Sequence, residues 1–360
     1  MRQVYLAVAI GAALVAAVGL AWQDGPYKVL KIAKVGGEGG FDYVNCDVQG
    51  RRLYVARRGG PNNTPPPRIN VFNLDTIEPA GEIADTSAHG AVISSKTGHG
   101  IASSRPVNMF DIKTQKVIKS IEVQGNPDGL LYDDFNDRVY VLSHQAPNMT
   151  VINPADGSVV GTIDLGGQPE QAASDGKGTI YVDLEDKDSV AVVDAKQMKL
   201  VKTYDLQGKG GGCAGLALDA KNGILFAACR NPNNMVILSA TDGKILDALP
   251  IGHGTDGAAF NPDTMEAFSS NGQDQNLTII KENSPTSFAV EQNLHTMSGA
   301  KTMTLDTKTG HILLIGVEYQ APPAAPPDSQ PPAGEKKGGR GFRGGRATVP
   351  DSFSVVVVGK

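Results

Sequence analysis

Residues able to bind cations or share protons recur along this chain at nearly regular intervals. Six ionisable residues and one alanine open seven otherwise similar segments: Asp42, His89, Asp128, Glu170, Ala214, Asp256 and Lys301. Successive members of this set, called markers below, are 39 to 47 residues apart. Four carboxylates and an imidazole converging on one place could hold a hard cation with water in the gaps. Such convergence requires a fold that arranges the segments around one axis.

Each marker opens a segment of four short apolar runs. In one copy the first run is DGLLYDD (residues 128–134), and the other three form RVYVLSHQAPNMTVINPADGSVVGTIDL (138–165). Alternating apolar residues between turn-forming clusters predict antiparallel strands. A turn-forming residue follows every marker by five places: Asp47, Ser94, Asp133, Asp175, Asp219, Asn261 and Asp306. Seven such copies, each about 43 residues long with four strands, predict an all-β, seven-bladed β-propeller.

The two ends of the chain together should close this ring. The last copy stops at Lys360 before a fourth strand, while YKVLKIAKV (residues 27–35) has the pattern of a fourth strand and precedes the first marker. We therefore expect the N-terminal strand to complete the last blade, so that every sheet is covered by its neighbours.

The copies resemble a known repeat. Segments such as RVYVLSH…MTVINPADGSVVGTIDLGGQPE resemble the YVTN-type repeat of exported bacterial propellers, over nearly all of residues 27–360. The resemblance implies seven blades and says little about function. The second and sixth copies depart from it most, because they lack the YV pair of the second strand.

In a propeller the first strand of each blade lines the central channel, so the markers should ring one channel mouth. Loops after the second strands share that face and bring Arg57, His144 and Arg230 to the predicted site; other residues in these loops are Arg58, Arg105, Glu185, Asn271 and Glu318. A divalent cation is the one cofactor the ring could take. Because Lys301 argues against a tight metal cage, we assign no metal ligands. The alternative is that the acids only accept backbone hydrogen bonds and solvate the channel.

The function predicted from these residues is binding. Arginines beside acids and a histidine could grip a small anionic ligand, a glycan or a partner protein. The alternative is a metal-assisted, lactone-hydrolysing or lactonising enzyme at the same face. Its base would be His89 or His144, its anion clamp Arg57 or Arg230, and its cation or proton site Asp128 or Glu170. Common enzyme motifs are absent from the sequence.

Two of the three cysteines should lie opposite one another. If Asp219 pairs near Ile224, antiparallel register places Cys213 almost opposite Cys229, where a cross-strand disulfide could form. Cys46 would then stay unpaired.

The N-terminus indicates export. A basic Arg2, an apolar run over residues 4–21 and small residues near Ala21 are typical of a signal peptide, which we assign to residues 1–21, with an uncleaved anchor as the alternative. The propeller then occupies residues 22–360 in the periplasm or outside the cell, as a monomer without stable membrane insertion. A net charge of −5 gives no general attraction to nucleic acid.

Two loops are longer than the rest and belong to copies that neighbour each other in a closed ring. They are residues 57–68 and a proline-rich, then basic and glycine-rich, insertion for which we predict disorder over residues 319–351. They could contact a partner or be tolerated surface insertions.

Overall fold

A computed structural model describes residues 24–320 and 347–360. The described residues form seven four-stranded antiparallel sheets, as the repeat predicts. Blades 1 to 3 contain β2 (Phe41–Asp47), β3 (Arg52–Arg57), β4 (Arg68–Asn73), β5 (Pro79–Ala84), β6 (Ala88–Ser94), β7 (His99–Ser104), β8 (Val107–Asp111), β9 (Lys116–Ile121), β10 (Pro127–Asp133), β11 (Arg138–Ser143), β12 (Met149–Asn153) and β13 (Ser158–Ile163). Blades 4 to 6 contain β14 (Pro169–Ser174), β15 (Thr179–Leu184), β16 (Ser189–Asp194), β17 (Lys199–Asp205), β18 (Cys213–Asp219), β19 (Ile224–Cys229), β20 (Asn234–Ser239), β21 (Ile245–Pro250), β22 (Thr255–Asn261), β23 (Glu266–Asn271), β24 (Asn276–Ser284) and β25 (Ser287–His295). A single 3-10 turn, Pro61–Asn63, interrupts the long loop of blade 1.

Blade 7 closes the ring in the predicted way. It contains β26 (Met303–Asp306), β27 (His311–Gly316), β28 (Ser354–Gly359) and the N-terminal β1 (Lys28–Lys34), in the spatial order β1-β28-β27-β26. The outer strand therefore comes from one end of the chain and the other three from the opposite end. Unlike an open sheet, this arrangement gives every blade a neighbour on both faces.

The core consists of the interfaces between blades. Seven clusters of buried apolar side chains each combine strands of two consecutive blades, including the interface of blades 7 and 1, where Leu53 and Val55 pack near Ile315 and Val355. Burial of these side chains at about 25 cal/mol per Å² is the main stabilising contribution. The resulting rigid ring fixes the inner strands that carry the markers.

The long insertion in blade 7 is ordered at its two ends, contrary to the prediction of disorder over all of residues 319–351. Tyr319 bridges Thr348, and backbone bonds join Gln320 to Ala347 and Val349 to Glu318. These pairs continue the antiparallel pairing of β27 and β28 beyond the ends of the two strands. The backbone hydrogen bonds order these residues although the composition of the insertion predicted disorder. The remainder of the insertion, residues 321–346, lies outside the described residues, as does the predicted signal peptide. No helix within the described parts of the chain is long and apolar enough to cross a membrane.

Candidate functional site at the channel mouth

A break in strand register positions the marker side chains. In six blades of the described structure, the pairing of the first two strands shifts at the marker: between Phe41 and Val44, Ala88 and Ala91, Pro127 and Leu130, Pro169 and Ala172, Cys213 and Gly215, and Thr255 and Ala258. Such bulges bend the strand locally and re-aim a side chain. The markers consequently turn toward the axis and meet one another across neighbouring blades.

One side of the mouth is held by permanently charged cations. We call it the fixed-charge arc, and its members are Arg58, Asp42, Lys301, Asp256 and Arg230. The Lys301 ammonium lies 3.4 Å from Asp42 Oδ1 and contacts Asp256 on its other side. Arg230 contacts Asp256 as well, while Arg58 reaches Asp42 Oδ2 at 3.2 Å. Lys301, the residue that argued against a metal cage, thus bridges two acids in this arc.

The arginine of blade 5 compensates for the marker that carries no charge. Ala214 contributes only a methyl group, but Arg230, from the loop after β19, lies between the acids of the adjacent blades and reaches Glu185 at 3.1 Å. Residues Cys213 and Cys229 immediately precede Ala214 and Arg230, and they form a disulfide. The bulge at Ala214 brings them directly opposite in register. The disulfide therefore fixes the strand end from which Arg230 extends.

The other side of the mouth depends on histidines. We call it the histidine arc, and it comprises His89, Asp128, His144, Glu170 and Glu185. His89 Nδ1 lies 2.8 Å from Asp42 Oδ2, where the two arcs meet, and 3.1 Å from Asp128 Oδ1. His144 Nε2 lies 3.3 Å from Asp128 Oδ2 and 3.4 Å from Glu170 Oε1. Because Glu185 contacts both Glu170 and Arg230, the contacts run around the whole mouth.

Proton affinities in the histidine arc are raised. A hydrogen bond with Asp42 raises the pKa of His89, and the carboxylate of Glu170 raises the pKa of His144 to about 9. Burial raises the pKa of Asp128, and burial together with the hydrogen bond to Glu170 raises the pKa of Glu185 to about 7. This arc therefore holds protons near neutral pH.

In the fixed-charge arc the pKa shifts of Asp42 and Lys301 both favour the charged form. Burial alone would raise the pKa of Asp42, but the hydrogen bond with His89 and the charge of Lys301 hold that pKa below its ordinary value. Burial would lower the pKa of Lys301, yet the charges of Asp256 and Asp42 raise it. Asp42 and Lys301 are therefore both charged at neutral pH.

Below the ring is a channel cavity of about 400 Å³. Two polar side chains that directly follow markers cross the space between blades. The Tyr43 hydroxyl of blade 1 donates to Glu170 Oε2 at 3.3 Å, and the Gln171 amide of blade 4 hydrogen-bonds the backbone of Leu216 and Ala258 in blades 5 and 6. Tyr43 and Gln171 were not selected from the sequence, although glycine follows four of the other markers and this difference was an available signal.

Two groups of side chains have the composition and spacing of a metal site. They are Asp42, His89 and Asp128, and Asp128, His144 and Glu170, with one donor atom of each residue within 4.8 Å of the others in its group. The two groups share Asp128. In the first, Arg58 and Lys301 already contact the Asp42 carboxylate.

The structure brings eight of the nine predicted ligand-binding residues together and excludes Arg57. Arg57 is 1% exposed, its guanidinium lies 3.7 Å from the centroid of the Phe353 ring, and it donates to the carbonyls of Gly37 and Gly39. Its assignment to the mouth was wrong, because it points into the interface of blades 1 and 7. Its neighbour Arg58 occupies the mouth instead.

The other residues in the loops after the second strands also divide into those that reach the mouth and those that do not. Glu185 belongs to the ring, while Asn271 is buried in hydrogen bonds with Ser269, Asn276 and Thr278. Arg105 and Glu318 are exposed. Cys46 is unpaired, as expected, and donates to the Leu305 carbonyl at 3.1 Å.

Fold and site together define a seven-bladed β-propeller with an ionised channel mouth, an architecture that is a common protein-interaction scaffold. The chain is similar in fold to a structure described as Kuenenia stuttgartiensis Hydrazine Synthase, with TM-score 0.65 and 14% sequence identity over 78% of this chain and 94% of that one. It is similarly related to a chain of the Crystal Structure of Mitotic Checkpoint Complex, with TM-score 0.66 and 12% identity over 87% of this chain and 95% of that one. No protein-family model matches the sequence, and neither does any curated protein. At such identities the likeness concerns the fold alone.

Proposed function

We propose that this chain is an exported binding module of the YVTN-repeat kind, and that the channel mouth is its binding surface. The observation that carries the proposal is the ring of ionised side chains above the 400 Å³ cavity. Convergent polar groups over a concave opening are the usual form of a ligand site. The repeat pattern and the apolar N-terminus support the family and the export.

The distribution of charge determines what this surface can recognise. The guanidinium and ammonium groups of Arg230 and Lys301 are already paired with carboxylates, whereas Asp128 and Glu170 form no ion pair with a lysine or an arginine among the described residues. A ligand with a cationic group, or a protruding basic side chain of a partner protein, therefore finds less competition than the anionic ligand expected from the sequence. The same acids and the net charge of −5 disfavour nucleic acid.

The enzyme alternative has less support from the geometry. A general base must be unprotonated at the working pH. His89 and His144 are each held between two carboxylates, and their pKa values are raised above that of free histidine. Arg57, one of the two proposed anion clamps, is buried away from the mouth.

Thermal stability with added ligands tests the binding proposal, since a ligand that prefers the folded state raises the melting temperature by mass action. The panel would contain sugar acids, lactones, oligosaccharides and short basic peptides. The wild type would be compared with Asp128→Asn and with Asp75→Asn, whose carboxylate pairs with Arg51 in the turns between strands rather than at the mouth.

We expect at least one class of compound to stabilise the wild type and Asp75→Asn but not Asp128→Asn. Equal stabilisation of all three proteins, or of none, would contradict a binding site at the mouth. Consumption of a lactone during the assay would favour the enzyme alternative.

A further inference from the structure

We propose that Asp128, His144 and Glu170 form a binding site for a divalent transition-metal ion with the ligand preferences of zinc. The inference rests on the proposed function, because it names the ligand class of the same channel mouth. Zinc binds histidine nitrogen and carboxylate oxygen, and zinc sites open to solvent have three protein ligands with a water in the fourth position.

The two distances from the imidazole nitrogen to the carboxylate oxygens fit such an ion, and all three donor atoms lie within 4.8 Å of one another. Ligands bound about 2.1 Å from a tetrahedral zinc ion stand about 3.4 Å from one another. His144 Nε2 lies 3.3 Å from Asp128 Oδ2 and 3.4 Å from Glu170 Oε1. Both separations exceed the usual length of a charge-assisted hydrogen bond, about 2.7–2.9 Å.

The Nε2 atom of His144 faces two carboxylates at ion-pair distances that are longer than a well-formed hydrogen bond. Nε2 is buried from solvent, and none of the described groups forms an aligned hydrogen bond with it, although it faces two carboxylates. An unpartnered buried polar atom is costly and needs an explanation. A metal ion between Nε2 and the two oxygens would satisfy all three.

The second oxygen of each carboxylate is held by a different side chain. His89 Nδ1 lies 3.1 Å from Asp128 Oδ1, and the Tyr43 hydroxyl donates to Glu170 Oε2 at 3.3 Å. The oxygens left over, Oδ2 and Oε1, are the two that face His144. Outer partners that orient ligating carboxylates in this way are typical of metal sites.

Nearby positive charge distinguishes the proposed group from the other candidate group, Asp42, His89 and Asp128. Asp42 in the group with His89 is already contacted by Arg58 and Lys301, which would repel a cation. Among the described residues, no ion pair joins a lysine or arginine to Asp128 or Glu170. A divalent ion would bring positive charge to Asp128 and Glu170, the two acids of the described mouth that no lysine or arginine pairs with.

Isothermal titration of the EDTA-stripped, purified protein with Zn²⁺ tests the proposal. We expect one tight site per chain, weakened at least about tenfold in His144→Gln and in Glu170→Gln. His253→Gln is the matched control, because His253 faces a single carboxylate, Asp274, at 2.8 Å. It should bind Zn²⁺ like the wild type.

Titration with Co²⁺ gives a second readout that does not depend on the variants. The wild type should develop the visible absorption of four- or five-coordinate Co²⁺, without thiolate charge-transfer bands. The control variant is Cys46→Ser, because Cys46 is an unpaired thiol that lines the same channel, and its spectrum should equal that of the wild type. The proposal would be overturned if the wild type had no tight site. It would also be overturned if His144→Gln and Glu170→Gln folded normally by circular dichroism and still bound Zn²⁺ like the wild type. If metal binding fails while Asp128→Asn still abolishes stabilisation by an organic ligand or peptide, the binding function stands and only the metal site is wrong.

Discussion

The fixed-charge arc and the histidine arc use the same marker positions and the same bulges, yet they hold their negative charge in different ways. In the fixed-charge arc each carboxylate contacts a lysine or an arginine, and the pKa of Asp42 is lowered. In the histidine arc Asp128 and Glu170 pair with imidazoles and only Glu185, at its end, reaches an arginine, while the pKa values of Asp128 and Glu185 are raised. The first arc is therefore closed by its own side chains, while the second can exchange its protons for another cation.

The largest expected effect concerns the disulfide between Cys213 and Cys229, next to Arg230 of the fixed-charge arc. Replacing Cys213 and Cys229 together by serine should destabilise the protein by about 3 kcal/mol, the usual contribution of a disulfide that closes a loop of this length, here a separation of 16 residues. Chemical denaturation of the oxidised wild type and the double variant measures the difference. A change below about 0.5 kcal/mol would show that the disulfide adds little to the stability that the sheet already has.

A matched pair of substitutions compares the arcs directly. Asp256→Asn leaves Lys301 and Arg230 without their shared counter-ion and should cost about 2 kcal/mol at neutral pH, discounted from the value for buried pairs because both cations are partly exposed. Asp128→Asn should cost less, since His89 and His144 can release their protons. Urea denaturation at pH 7 gives both values, and the reverse order would contradict the distinction between the arcs.

The pH dependence of stability should come from the histidine arc. The folded-state pKa of His144, about 9, exceeds the value of about 6.5 in the unfolded chain. Its stabilising contribution is therefore complete below pH 6.5 and is lost as the pH rises through 9. The raised pKa of Glu185, about 7, acts with the same sign between pH 4.5 and 7.

Melting temperatures between pH 6 and 9.5, measured in EDTA, test this prediction. Stability should fall across that range in the wild type and fall less in His144→Gln. Parallel curves for the two proteins would assign the pH dependence to other groups.

The smallest expected effect concerns the most exposed member of the fixed-charge arc. The side chain of Arg58 is 54% exposed, and an ion pair at such exposure contributes at most about 1 kcal/mol. Arg58→Met should therefore change the free energy of unfolding by less than about 1 kcal/mol, and added salt should reduce the difference further. A loss above about 2 kcal/mol would mean that Arg58 is structural rather than peripheral.

The fold and the convergence of the markers were predictable because both follow from repetition. A marker at the start of every inner strand must lie near the axis, wherever the blades stand in the sequence. The disulfide followed from antiparallel register, which the bulge at Ala214 shifts just enough to pair Cys213 with Cys229.

The pairing of individual loop residues was less predictable. Arg57 and Arg58 are adjacent, and adjacent side chains at the end of a strand point in opposite directions. Arg57 continues the alternation of Leu53 and Val55, which face blade 7, so strand parity would have placed it in that interface. The hydrophobic pattern of β3 conceals this parity, because Tyr54 and Ala56 are buried as well.

The division of the ring into two arcs could not be read from residue types. It depends on Arg230 filling the gap at Ala214 and on Tyr43 and Gln171 crossing the channel, and these are contacts between blades that are distant in sequence. Tyr43 and Gln171 differ from the glycine that follows four of the markers, but the sequence does not show which blades their side chains reach.

The most direct test of the central claim, that the histidine arc is the part of the mouth that accepts a ligand, is a crystal structure grown with Zn²⁺ and measured at the zinc absorption edge. We expect one strong anomalous peak per chain at about 2.1 Å from the ligand atoms of Asp128, His144 and Glu170, with the fixed-charge arc unchanged. No peak at the mouth at saturating Zn²⁺, or a peak only at Asp42 and His89, would contradict it.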